Sequence, residues 1–177
     1  MVPCRHEPWP LVTLHRYDTM LQAERLLSHY DYIFYSDVDM AFVGRINAVE
    51  ICGPGLTAVA HPGYRGTSSA SLPYCRDSKS AAYLSPGTGV RYYAGGFQGG
   101  LSNTYLDAMA AMAEGIADDE ARGVMATWHD ESHWNRLLHY FPPSVVLVPQ
   151  VFCCPQGRAD STTKIVALDK HHAAMRA

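Results

Sequence analysis

Tyr32-Ile33-Phe34-Tyr35-Ser36-Asp37-Val38-Asp39 joins a run of strand formers directly to a pair of carboxylates. The continuous apolar run Tyr32 to Tyr35 offers no polar face to water, which predicts a strand buried on both sides in a parallel sheet. Just upstream, Tyr17, Met20, Leu21, Ala23, Leu27 and Tyr30 recur every three to four positions. That period predicts an amphipathic helix from Thr13 to about Ser28. A helix feeding a buried strand implies an α/β architecture.

Downstream, Leu56-Thr57-Ala58-Val59-Ala60 reads as a second strand, ending at His61-Pro62-Gly63. From Tyr64 to Gly89 the chain is rich in Ser, Gly, Pro and Thr without periodicity, which predicts a long loop of the functional kind. The glycine-dense segment Tyr92 to Gly100 comes next, and then a helix with Leu106, Met109, Ala110 and Ala113 on its inner face, capped by Asn103 or Thr104. Another helix starts near His129 to Glu131, carries Trp134, Leu137 and Leu138, and stops at Pro142-Pro143. Val145 to Val148 reads as a strand and the remainder as a polar tail. No repeat interrupts this order, and residues 1–177 are expected to form a single domain.

The 14 Lys+Arg against 17 Asp+Glu give a formal charge of −3, which argues against a nucleic-acid partner. Hydrophobic residues at 47% and charged residues at 18% suit a chain that buries a core. No apolar run approaches the roughly 18 residues of a membrane span, and the first residues lack the apolar stretch of a signal peptide. Five cysteines, at 4, 52, 75, 153 and 154, form no CxxC pair. They are expected to be reduced, small buried hydrophobes.

Three segments carry residue types suited to chemistry. Asp37 and Asp39, two apart at the end of a strand, would project to one face and chelate a hard divalent cation; a solvated acidic turn is the plainer alternative. Trp128-His129-Asp130-Glu131-Ser132-His133 packs two imidazoles and two carboxylates beside an aromatic ring. His129 and His133 have helical spacing for zinc but lack the HExxH order. A carboxylate there serves equally as base, nucleophile or cation stabiliser, or simply as a helix's acidic first turn. Ala94-Gly95-Gly96 and Gly99-Gly100 permit close backbone approach but match neither a P-loop nor a dinucleotide fingerprint.

The ordered blocks DVDM (37–40), HPG (61–63), YYAGGFQGG (92–100), WHDESHWN (128–135) and KHHAAMR (170–176) resemble glycosyltransferase family 6, the family of the blood-group A and B transferases and the α-1,3-galactosyltransferases. The resemblance runs from about Thr13 to Arg176. It implies a GT-A-type, Rossmann-like α/β fold that, as the chain is written, lacks the first, uridine-binding strand. It also implies a retaining, Mn²⁺-dependent transfer of N-acetylgalactosamine or galactose from a UDP-sugar to O3 of a galactoside. By motif matching, Asp37 and Asp39 are the metal pair and Glu131 the catalytic carboxylate, which also contacts the acceptor. Donor contacts fall on Asp37, Val38, Asp39, Ala94, Gly95, Gly96, Asp130, Lys170 and Arg176, with the last two closing over the diphosphate. His61 and Trp128 match acceptor contacts. Pro73 and Cys154 replace acceptor-binding polar residues of the blood-group enzymes, so the acceptor's identity does not carry over.

By the same resemblance, residues 94 and 96 match the positions that discriminate galactose from N-acetylgalactosamine, and the small Ala94 and Gly96 leave room for an acetamido group, which favours UDP-N-acetylgalactosamine over UDP-galactose. A bacterial member would be cytoplasmic, and a piece of a membrane-anchored eukaryotic enzyme would work in the Golgi lumen. Two other readings remain at this point: a non-catalytic sugar- or nucleotide-binding remnant, and a metal-dependent phosphohydrolase built from Asp37, Asp39 and residues 129–133.

Overall fold

The computed structural model describes residues 2–4, 6–140 and 145–170. Their elements are α1 (Leu11–Leu14), α2 (Arg16–Leu21), α3 (Glu24–Leu27), β1 (Tyr32–Ser36), β2 (Met40–Phe42), α4 (Ala48–Ile51), β3 (Leu56–Ala60) and β4 (Tyr93–Leu101), and then α5 (Ser102–Ala121), α6 (His129–Tyr140), β5 (Val145–Val148), β6 (Cys154–Pro155) and β7 (Ile165–Ala167). The expected α/β class holds, with sheets of mixed strand orientation. One sheet has the order β1-β4-β3-β5 and a smaller one β2-β7-β6.

β1 departs from expectation: it pairs antiparallel with β4, at the edge of the sheet, and only Ile33 along it is buried. The parallel pairing lies instead between β3 and β5, with Leu56 opposite Val145 and Val59 opposite Val148. A run of apolar residues reports burial and not strand direction, and here the aromatic side chains are half-covered by neighbours rather than by two helical layers. The helix expected over 13–28 is broken into α1, α2 and α3, with non-helical backbone at His15 and Ala23. The stretch expected to be a polar tail supplies β6 and β7, and Ile165 and Val166 are buried.

β4 explains its glycines. It runs between β1 and β3, Gly99 facing Phe34 on one side and Thr57 on the other. A Cβ on Gly99 would lie 2.4 Å from the Ile33 carbonyl oxygen and 2.8 Å from Phe34 Cα, so the neighbouring backbone leaves no room for a side chain. α2, α5 and α6 cover one face of this sheet through Tyr17, Tyr105, Met109, Ile116 and Trp134, and the other face packs Met40, Val59, Phe97, Phe152 and Ile165. Burying side chains of this size is worth roughly 1.5–3 kcal/mol each. α5 begins at Ser102, with Leu101 at its cap and no side-chain capping bond, so Asn103 and Thr104 lie inside it.

The long loop of 64–89 is as expected, with short 3₁₀ turns, and two side chains hold it. Arg76 donates to the Leu84 and Ser85 carbonyls at 2.7 and 2.6 Å. Asp119 of α5 accepts from Ser80 Oγ at 2.5 Å and Ala81 N at 2.6 Å. All five cysteines are free; Cys75 and Cys153 are buried as expected, whereas Cys4 is exposed and Cys52 and Cys154 half-buried.

Candidate functional site

β1 ends where the chain turns into β2, and the turn is Asp37-Val38-Asp39, closed by Met40 N donating to the Asp37 carbonyl at 3.1 Å. The two carboxylates therefore do not project from one face of an extended strand, as expected, but from a turn whose apex, Val38, is fully exposed. Their surroundings differ. Asp37 Oδ1 accepts from Tyr35 Oη at 2.5 Å and from Arg16 Nη1 at 3.0 Å. Asp39 Oδ2 lies 2.7 Å from Lys170 Nζ, which the tail carries back over the turn.

α6 supplies the second pair of carboxylates from its first turn. Glu131 Oε2 accepts from Gly95 N at 2.7 Å. β4 packs closely on α6 here, since a Cβ on Gly95 would lie 3.4 Å from Glu131 Oε2. Asn135, one turn on, locks the register by accepting from Tyr93 N at 2.7 Å and donating to the Tyr93 carbonyl at 2.8 Å. Asp130 is buried, and its Oδ2 lies 3.1 Å from Arg16 Nη2 in an ionic contact rather than an aligned hydrogen bond.

Burial sets the protonation of both groups. It pushes the Asp130 carboxyl up to about 6, against the opposing pull of Arg16 and with a further push from Asp37. Burial likewise drives Glu131 up to about 7, partly offset by the Gly95 N–H and by the neighbouring Tyr92 hydroxyl. Two adjacent carboxylates poised near neutrality, one tied to backbone and one to a guanidinium, are a concentration of perturbed acids typical of reactive clefts.

Arg16 joins the two acidic pairs, and no motif in the sequence marks it. Its guanidinium reaches Asp37 and Asp130 and lies 4.7 Å from the Tyr35 ring centre. The structure puts it at the first position of α2, where a cation opposes the helix dipole, so its benefit comes from elsewhere. Tyr35 and Tyr92, each beside a site carboxylate, look in sequence like ordinary strand and loop residues.

The remaining expected residues divide. A Cβ on Gly96 would lie 3.2 Å from Asp37 Oδ2, so position 96 faces the turn, whereas Ala94 is buried in the core cluster that holds Met40 and Phe97. His61 is half-buried, its Nδ1 accepting from Gly63 N at 3.0 Å and its ring packing on Tyr92. Burial lowers its pKa, which keeps the imidazole neutral. Trp128 is 48% exposed, and its carbonyl accepts from Glu131 N at 3.0 Å. Arg176 lies outside the described residues.

The zinc arrangement is not present: His133 is buried with Nε2 3.5 Å from Asp119, whereas His129, at φ +50°, packs on Trp9. Among the described residues no group of three His, Cys, Asp or Glu side chains is placed to hold a metal ion. The Asp37 and Asp39 oxygens match a hard cation in donor type.

No described helix is long and apolar enough to cross a membrane. The chain is similar to histo-blood group ABO system transferase 1 of Rattus norvegicus, 35% identical over 174 residues, covering 95% of this chain and 49% of the relative. It is also similar to globoside alpha-1,3-N-acetylgalactosaminyltransferase 1 of Gallus gallus, 35% identical over 148 residues, with 82% of this chain and 43% of the relative covered. Alpha-1,3-galactosyltransferase 2 of Homo sapiens is 34% identical over 122 residues, covering 69% and 35%. The chain thus spans about half or less of the length of these relatives. The family model of glycosyltransferase family 6 matches residues 4–177, nearly every position of the sequence, and the chain belongs to that family.

Proposed function

We propose that the protein transfers N-acetylgalactosamine, or alternatively galactose, from its UDP donor to O3 of a galactoside, with retention of the α configuration and with Mn²⁺ or a similar divalent ion. The observation that carries this reading is the Glu131 carboxylate fixed on Gly95 N at 2.7 Å, beside the Asp37-Val38-Asp39 turn. The reaction breaks the bond from the anomeric carbon to the UDP oxygen and forms one from that carbon to the acceptor O3, whose proton leaves with UDP.

In this reading Asp39, with Asp37 behind it, holds the cation, which when bound neutralises charge on the leaving diphosphate. Lys170, already on Asp39, adds a second positive charge to the same group, and Arg176 matches the family position that does likewise. Glu131 sits under the anomeric carbon, where its negative charge is favoured as positive charge develops. Asp130, steadied by Arg16, receives donor-sugar hydroxyls. His61, neutral and half-buried, and Trp128, with an exposed ring face, contact the acceptor.

The phosphohydrolase alternative needs the 129–133 histidines beside Asp37 and Asp39, and both histidines are engaged elsewhere. The test is transfer from UDP-N-acetylgalactosamine and UDP-galactose to lactose, with and without EDTA, with the product linkage read by NMR. An α-1,3 product that disappears in EDTA and returns with Mn²⁺ is expected. A β-linked product, release of free sugar alone, or full turnover in EDTA would refute the reading.

A further inference from the structure

A cleft of about 510 Å³ opens between the 3₁₀ turn after His61 and the segment from Gln150 to Thr163. Its walls hold Arg65 on one side and Arg158 on the other, with Gln150, Cys154 and Asp160 between them. The size is that of a ligand pocket rather than of a packing defect.

Its position ties it to the site. Cys154 adjoins Cys153, a buried thiol close enough to Glu131 and Asp37 to feel both charges. On the opposite wall, Gly63 N bonds His61 Nδ1, and Gln150 Nε2 reaches the His61 carbonyl at 3.5 Å. The cleft therefore borders His61 through its lining residues Gly63 and Gln150.

The charges in it are not balanced internally. Arg65 and Arg158 are both exposed, and neither has a hydrogen bond or ion pair among the described residues. Other cations here are committed to structure: Lys164 to Glu50 and the Arg45 carbonyl, Arg76 to loop carbonyls. The one lining carboxylate, Asp160, is turned back on its own loop, accepting from Thr162 N at 2.8 Å and Thr162 Oγ at 2.7 Å. Two guanidiniums facing one cleft suit a carboxylate or phosphate, the planar or tetrahedral oxyanions they bind through paired N–H groups.

We infer that this cleft receives an anionic group, carboxylate or phosphate, carried by the acceptor one sugar beyond the galactose that is glycosylated; this rests on the transferase reading for the site at Glu131. Such an acceptor places its galactose against His61 and Trp128 and its charge between Arg65 and Arg158.

Calorimetric titrations of the full chain with lactitol, lactobionate, lactose and lactose 1-phosphate test this. They are repeated with the double variant R65Q/R158Q, and UDP and UDP-N-acetylgalactosamine are titrated into the free chain and into its complex with the anionic ligand. Lactobionate is expected to bind about tenfold more tightly than lactitol, or lactose 1-phosphate than lactose, and the double variant to lose that ratio. Which anion gains identifies the source. Equal binding of charged and neutral ligands, no binding of any of them at millimolar concentration, retention of the preference in R65Q/R158Q, or displacement of the anionic ligand by UDP would each overturn the inference. Failure of the transferase reading shows separately, as absent UDP-sugar binding beside intact charge discrimination.

Discussion

Glu131→Gln should stabilise the protein increasingly as pH rises, the reverse of the effect of removing an ordinary paired carboxylate. The Glu131 pKa rises from 4.5 in the unfolded chain to about 7 in the native state, with burial the largest cause. Between those values the unfolded chain has released its proton and the native state still holds it. Unfolding then releases a proton, and stability falls as pH increases through that window. At about 1.4 kcal/mol for each pH unit separating the two states, the penalty reaches roughly 3 kcal/mol above pH 7 and vanishes below pH 4.5. Glu131 keeps some solvent contact and is coupled to Asp130, so this is an upper figure. Glutamine preserves the acceptor for Gly95 N and does not titrate. Urea unfolding of both proteins from pH 4 to pH 8.5 should show the variant gaining about 2–3 kcal/mol on the wild type across the range. A difference independent of pH, or a gain by the wild type as pH rises, would refute the claim that Glu131 is held at a cost.

Three further outcomes rest on single contacts. Lys170→Ala removes a partly exposed ion pair with Asp39, so it should change stability by less than about 1 kcal/mol while weakening UDP binding several-fold; unchanged UDP affinity contradicts the clamp role. Gly96→Ala places a Cβ 3.2 Å from Asp37 Oδ2, and should shift the kcat/KM ratio toward UDP-galactose by about tenfold while displacing Asp37; an unaltered ratio of the two donors contradicts the pocket assignment. Gly99→Ala meets backbone of β1 at 2.4 Å and should cost more than about 4 kcal/mol, seen as loss of native circular dichroism; a folded variant of wild-type stability contradicts the strand spacing.

The elements that were legible in the sequence are those whose burial is one-sided and periodic. α5 and α6 present Leu106, Met109, Trp134 and Leu138 to one core, and a helical period survives whatever they pack against. β3 and β5 were legible as strands because both are short runs bounded by turn formers. Pairing direction was not legible for β1, since an antiparallel neighbour with glycines and a parallel neighbour with helices leave the same apolar run on the strand itself. β7 was hidden because three residues, Ile165 to Ala167, carry too little pattern to stand out from the polar segment around them.

The site divides along the same physical line. Asp37, Asp39, Asp130 and Glu131 stood out because acidic residues next to an apolar strand or a Trp are unusual locally, and a motif then ordered them. Arg16 did not stand out, because nothing within several residues shows why it is needed. Its partners are 21 residues away at Asp37 and far beyond that at Asp130. Yet a buried carboxylate at Asp130 without a facing cation would be protonated or unfolded at neutral pH. The requirement for a cation was therefore implicit once Asp130 was placed in the interior, and α2 is the element that packs against α5 and brings the guanidinium there. Burial of a charge is thus the step that turns a local motif into a demand on distant sequence, and only the tertiary structure shows which residue meets it.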